Sequence, residues 1–213
     1  MSELFYRGVR TLGTVVFRLA SRPLILHPER AAMPGPYLLA ANHESHFDAA
    51  LLIAATPRVI CWLSIVELFQ HPLSRWFLRA MLAAPLDRSR PDATTVRAIL
   101  RHLRCGRVVG LFPEGNLRAG PDSVLAGGAL RDGIARLAEI GRVPVLPCVV
   151  AGGHAFSRWP AWLPLFRTRW AVAFGEPIHL PENPDRTAAR QAFHSELAAA
   201  LRQLHGEVAR HAS

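Results

Sequence analysis

Two side chains capable of proton chemistry stand close together near residue 45. His43 precedes Asp48 in the segment Asn42-His43-Glu44-Ser45-His46-Phe47-Asp48. A carboxylate that accepts a hydrogen bond from one imidazole nitrogen fixes the tautomer and leaves the other nitrogen as a base. On an unbroken helix this spacing sets the two side chains about 140° apart, so they would not face each other. They meet only if His43 lies on a loop and Asp48 in the first turn of the next helix, with Ser45 as N-cap. The same spacing also suits a capping box, in which Asp48 serves Ser45 and His43 is an ordinary loop residue. Spacing alone leaves both open. His46 adds a third reading, a metal-dependent hydrolase using His43, His46 and Asp48, although the pattern is not the HExxH of zinc enzymes.

A second polar cluster is Phe112-Pro113-Glu114-Gly115-Asn116-Leu117-Arg118. Gly115 permits close backbone approach, and Arg118 could clamp a phosphate. Read alone, it is equally a strand-end turn with one exposed arginine. Arg88, in Leu86-Asp87-Arg88, and Arg131, in Leu130-Arg131-Asp132-Gly133, are further anion-binding candidates, and each could equally be a surface ion pair. No GxSxG elbow occurs, which argues against an α/β-hydrolase. Cys61, Cys105 and Cys148 form no CxxC pair and sit in apolar company. They read as buried free thiols of a reducing compartment.

The elements that must position these residues are legible as periodic patterns. Apolar runs at Tyr37–Ala41, Val59–Ile65, Arg107–Phe112, Val143–Val150 and Trp170–Phe174 predict strands. Helices are predicted at 4–19, from Ser45 through Ala55, at Pro72–Leu82, Ala93–Leu103, Leu130–Ile140 and Thr187 to about His211. Short apolar strands alternating with helices predict an α/β fold with a mainly parallel central sheet flanked by helices. Both polar clusters directly follow strands, where ligand sites gather in such folds. In the 4–19 helix, Leu4, Phe5, Val9, Leu12, Val15, Val16 and Leu19 occupy an arc of about 140°. Arg7, Arg10 and Arg18 occupy an opposing arc of about 80°. This N-terminal amphipathic helix suits a lipid headgroup layer, and equally suits packing on the domain. Residues 1–27 are accordingly expected as an amphipathic, membrane-associating segment and 28–213 as the catalytic domain. The segment from Trp159 to Phe166 is aromatic and Pro-rich, fitting either a membrane interface or a loop anchored on the core.

Composition bounds the rest. The 213 residues suit one ordinary domain, and 50% hydrophobic with 19% charged residues excludes general disorder. No charge-free apolar stretch is long enough for a transmembrane helix, and Glu3, Arg7, Arg10 and Arg18 spoil a signal peptide. The net charge is +9, and all 25 basic residues are arginine. Arginine binds phosphate in a planar, bidentate way, so the partner could be nucleic acid, anionic lipid or an acidic carrier. No nucleic-acid motif is recognisable, and none is expected as a partner.

In order, these segments resemble the glycerolipid acyltransferase family typified by 1-acylglycerol-3-phosphate acyltransferase. Asn42-His43 followed by Asp48 matches its NHxxxxD motif. Leu86-Asp87-Arg88 resembles the second block, Phe112-Pro113-Glu114-Gly115 the FPEG core of the third, and Val143-Pro144-Val145-Leu146-Pro147 the fourth. Phe174-Gly175-Glu176-Pro177-Ile178 resembles the late strand-turn. The resemblance covers roughly residues 35–180. It implies that His43 is a general base oriented by Asp48, deprotonating an acceptor hydroxyl that attacks an acyl thioester directly. It implies that Arg88, Glu114, Gly115 and Arg118 line the acceptor site, with Arg131 a further candidate, and that no metal or cofactor takes part. The implied partners are acyl-CoA or acyl carrier protein as donor and a lysolipid acceptor; separately, the 4–19 helix and the arginine excess lead us to expect an anionic membrane surface as partner, with the enzyme peripheral on the cytoplasmic face. One departure stands out. The usual third block, FPEGTRS, has Arg where this chain has Leu117, and Asn116 replaces the Thr. That leaves open an acceptor such as another lysolipid or an amino-acid-linked lipid.

Overall fold

The structure, a computed structural model, describes residues 2–86, 93–163 and 168–212. The elements in chain order are α1 (Ser2–Ala20), β1 (Ser21–Leu26), α2 (Pro28–Ala31), β2 (Tyr37–Ala41), α3 (Asp48–Ala55), β3 (Ile60–Ile65), α4 (Pro72–Ala80), β4 (Ala84–Leu86), α5 (Ala93–Arg104), β5 (Val108–Leu111), α6 (Gly133–Gly141), β6 (Val145–Ala151), β7 (Thr168–Phe174) and α7 (Arg186–Ala212). The strands form one sheet in the order β1-β7-β6-β2-β5-β3-β4. All pairings are parallel except β6 with β7. The mainly parallel α/β sheet expected from the apolar runs is therefore present, with one antiparallel joint.

β2 is buried along its whole length and lies at the centre, between β5 and β6. Its side chains alternate between the two faces, as strand geometry requires. Tyr37, Leu39 and Ala41 join a core with Phe17 of α1 and Leu51 and Leu52 of α3. Leu38 and Ala40 join the opposite core with Ile99 of α5, Ile134 of α6 and Phe193 and Leu197 of α7. The chain leaves β2 through α3 toward β3 on one side and returns through α6 to β6 on the other. The carboxyl end of β2 is therefore a topological switch point, where a doubly wound sheet opens a crevice.

The N-terminal helix forms, but it rests on a face other than its apolar arc. Tyr6, Phe17 and Ala20 are buried, while Leu4, Leu12, Val15, Val16 and Leu19 are exposed. The Tyr6 hydroxyl accepts from the Ile60 N–H at 3.0 Å, and the Arg10 guanidinium donates to the Pro57 carbonyl at 2.6 Å. Phe17 packs against Phe156, Trp162 and Trp170. Within the segment expected to span residues 1–27, β1 pairs along its length with β7. Two of the three cysteines, Cys61 and Cys148, are buried as expected, and Cys105 is exposed. No described helix is long and apolar enough to cross a membrane.

Candidate active site

The site is built at the carboxyl ends of β2, β5 and β6. Asn42 directly follows β2 and is wholly buried. Its Nδ2 donates to the Val150 carbonyl at 3.0 Å, and its Oδ1 accepts from the Val150 N–H at 2.8 Å. The side-chain amide thus continues the β2–β6 ladder past its last backbone pair, Ala41 with Cys148. The chain can then leave the sheet without stranding a buried polar group.

His43 comes next and is gripped by its backbone. Its N–H donates to Glu114 Oε2 at 3.0 Å, and its carbonyl accepts from the Arg118 N–H at 2.7 Å. The loop after β2 is therefore stitched to the loop after β5. The His43 ring lies flat on Phe112, with centroids 3.8 Å apart and planes 8° from parallel. Phe112 stacks in turn on Trp62 at 4.9 Å. The ring's plane is thus held by packing.

Asp48 holds the ring's rotation within that plane. His43 Nδ1 lies 3.1 Å from Asp48 Oδ2, and the same oxygen accepts the Glu44 and Ser45 N–H groups at 2.8 Å each. An ionised carboxylate only accepts, so Nδ1 carries the hydrogen and Nε2 of the neutral ring keeps its lone pair. Nε2 has no hydrogen bond among the described residues. Asp48 is 1% exposed and the His43 side chain 15%, so the pair sits at the wall of the crevice with one edge open. Against Asp48 stands Gly153, just past the end of β6. A Cβ at Gly153 would overlap Asp48 Oδ1 and come within 3.1 Å of Ser45 Cβ.

Both readings of the spacing prove half right. The Asp48 carboxylate aims the imidazole, and it also takes the Ser45 N–H as in a capping box. Ser45, however, is not the N-cap. The helix begins at Asp48, and Ser45 Oγ accepts from the Phe47 N–H at 3.2 Å, closing a tight turn before it. That turn supplies the curvature that lets residues 43 and 48 meet. His46 is exposed, and among the described residues no three His, Cys, Asp or Glu side chains converge as metal ligands. The grouping of His43, His46 and Asp48 is therefore not assembled.

The second cluster surrounds the first, but not as expected throughout. Glu114 was expected to line the acceptor site, yet it is 0% exposed. Oε2 takes the His43 N–H, and Oε1 takes the Val124 N–H at 2.6 Å and the Ser123 hydroxyl at 3.2 Å. Its carboxylate is occupied by the protein. Gly115 has a left-handed φ of +77°, and a Cβ there would overlap the Arg131 guanidinium. Arg131 donates its N–H to the Pro113 carbonyl at 2.9 Å, while its side chain is exposed beside the Gly115 turn. Arg118 is half-buried, and neither Arg118 nor Arg131 forms an ion pair among the described residues. Leu117 points outward, 41% exposed. Arg88 lies outside the described residues. Near the mouth, burial pushes the Glu44 carboxyl above its usual range; the Asp48 charge adds to this and His205 opposes it.

A model of the acyltransferase family matches residues 24–151, which span β1 to the end of β6 and hold every residue of the site but Gly153. This chain belongs to the acyltransferase family. It is 26% identical over 167 residues to a 1-acyl-sn-glycerol-3-phosphate acyltransferase of Bacillus subtilis, covering 78% of each chain. It is 24% identical over 148 residues to one of Streptococcus pneumoniae, covering 68% of this chain and 51% of that protein. Its fold resembles the crystal structure of the 1-acyl-sn-glycerophosphate acyltransferase PlsC from Thermotoga maritima, with a TM-score of 0.69 at 20% identity, covering 94% of this chain and 79% of that one.

In this acyltransferase, His43 and Asp48 meet as sequence reasoning expected, and Gly115, Arg118 and Arg131 gather beside them. Three contributors went unrecognised: the tether of Asn42, the inward grip of Glu114, and Gly153 against Asp48. The Gly152-Gly153 pair ending a strand was the signal for the last. A cavity of about 930 Å³ lies between α6 and the start of α7 and contains none of these residues.

Proposed function

We propose that this acyltransferase moves a fatty acyl group from a thioester, acyl-CoA or acyl carrier protein, to the hydroxyl of 1-acylglycerol-3-phosphate. The observation that carries the reading is the bond from His43 Nδ1 to Asp48, which leaves Nε2 without a hydrogen bond among the described residues. Nε2 takes the proton of the acceptor hydroxyl as its oxygen attacks the thioester carbonyl. The C–S bond breaks, and the imidazolium returns the proton to the departing thiolate. No enzyme nucleophile is required, and the two buried thiols are not primed. Burial pushes the Cys61 thiol up to about 12 and Cys148 well above its usual range.

Arg118 and Arg131 hold the acceptor phosphate in this reading. Each is fixed by a backbone bond to the strand-end loops, and the relatives in Bacillus and Streptococcus are named for a phosphate-bearing acceptor. Arg131 beside Gly115 supplies a guanidinium near the turn where Leu117 withholds the usual one. The net charge of +9 and the exposed apolar arc of α1 support a peripheral position on an anionic membrane surface at the cytoplasmic face.

His43→Ala is expected to lower acyl transfer by about 10²–10⁴-fold with the fold intact. The measurement is turnover with labelled acyl-CoA across a panel of lysolipid acceptors, read by product mass, beside circular dichroism. Near-normal turnover in the variant would sink the mechanism. Preference for an acceptor lacking phosphate would overturn the assignment of 1-acylglycerol-3-phosphate.

A further inference from the structure

α4 buries none of its residues. Its apolar side chains nevertheless share one side, because Leu73, Trp76, Phe77 and Ala80 follow the i, i+3, i+4, i+7 spacing of a core-facing stripe. Here the stripe meets solvent: Leu73 is 71% exposed and Trp76 61%. α1 presents the same anomaly with Leu4, Leu12 and Leu19. The two stripes join. Phe5, within the α1 arc, stands edge-on to Trp76 at 5.4 Å and to Phe77 at 6.4 Å. The turn Val66–Phe69, packed beside α4, adds the exposed Val66 and Leu68. Elsewhere among the described residues, only Leu117, Ile140 and Trp159 are exposed large hydrophobics. An apolar surface so concentrated marks an interaction site.

Its rim selects the occupant. Arg7 and Arg18 lie on the charged side of α1, Arg75 and Arg79 on that of α4, and all four are exposed. Glu67 is the one exposed acidic residue in segments 3–22 and 66–80. A second copy of the chain would bring another +9 and set arginine against arginine. An anionic lipid layer accepts apolar side chains below its headgroups and arginines among them. We propose that α1, the Val66–Phe69 turn and α4 form one composite docking face for an anionic phospholipid surface. The proposal rests on the membrane attachment put forward above and extends it from one helix to two.

Flotation of the full chain tests this, using phosphatidylcholine vesicles with and without phosphatidylglycerol. The unaltered protein is expected to float with the anionic vesicles and to do so less at high salt. Leu73→Glu with Trp76→Glu should lower binding at least about tenfold, while Ile140→Glu, on α6, should not. Arg75→Gln with Arg79→Gln should weaken binding to anionic vesicles about tenfold or more and leave neutral vesicles unaffected. A folded Leu73/Trp76 variant that floats normally would overturn the composite face. So would sedimentation showing an unaltered dimer that the variant merely dissociates. Should that variant fail to fold, the arginine pair decides, and unchanged anionic binding overturns the proposal. Acyl transfer to a short-chain, monomeric lysolipid reads the chemistry separately. Lost flotation with that activity retained supports the docking face, whereas no transfer by the unaltered protein refutes the proposed reaction and leaves the face standing.

Discussion

Glu114 commits both carboxylate oxygens to the protein, holding the His43 backbone with one and the Ser123–Val124 turn with the other. Its effect on the reaction should therefore pass through His43. A glutamine presents one acceptor oxygen and sets its amide N–H groups against a buried N–H of residue 43 or 124. An unmade buried hydrogen bond costs about 1–3 kcal/mol. Glu114→Gln is expected to lower kcat about 10- to 100-fold with the acceptor KM little changed. Steady-state kinetics decide it: a raised KM at constant kcat would mean that Glu114 binds the acceptor after all. At this scale the sequence showed which residue types could react, because a histidine and a carboxylate need only come together. It hid which way Glu114 faces. That depends on the N–H of Val124, a plain apolar residue whose backbone position no side-chain pattern reports.

Elements bring the reactive pair together. The turn 45–47 and the start of α3 place Asp48 under His43, and Gly153 after β6 leaves room for its carboxylate. Gly153→Ala would drive a methyl group into Asp48 Oδ1. The carboxylate must move, and with it the bond that fixes the imidazole. Overpacking of this kind typically costs about 1–3 kcal/mol. Gly153→Ala is expected to lower the unfolding temperature by several degrees and to depress kcat at least about tenfold. Thermal unfolding and turnover of the same preparation check both, and unchanged kcat would mean the crevice tolerates the methyl. Central strands were legible as apolar runs because burial on both faces leaves them no polar alternation. β1 and β4 were not legible. β1 contains Arg22 and Pro23, tolerable at a sheet edge, and β4 has three residues. α1 and α4 were legible as helices, the first as an amphipathic one, but period alone cannot say whether an apolar stripe meets protein or solvent.

Across the whole molecule, the N-terminal segment belongs to the sheet. Tyr6, Phe17 and Ala20 are core residues, and β1 covers the outer edge of β7. Removing residues 1–26 would uncover that edge, and an unpaired strand edge invites aggregation. The truncated chain is expected to be poorly soluble or to unfold at a clearly lower temperature, as size-exclusion chromatography and calorimetry would show. A soluble truncated chain with unchanged unfolding would mean that the segment is a detachable appendage. The α/β class was legible from the alternation of strands and helices, but the joint where β7 runs antiparallel was not. Trp170 to Phe174 reads as a strand whichever way it points, and only long-range pairing sets its direction.

β1 takes its place through β7 alone, and Trp170 Nε1 donates to Ser21 Oγ at 2.7 Å across 149 positions. Of the seven strands β1 is made before the others, and it has no neighbour in the sheet until β7 has emerged. At usual elongation rates that wait lasts about ten seconds or more. Throughout it, α1 is joined to a strand that cannot yet dock, so Tyr6, Phe17 and Ala20 lack their places in the core until the domain closes, whereas the exposed apolar stripe of the helix is open before and after. The order of synthesis thus leaves the buried side of the helix, not its lipid-facing side, waiting on closure of the sheet edge.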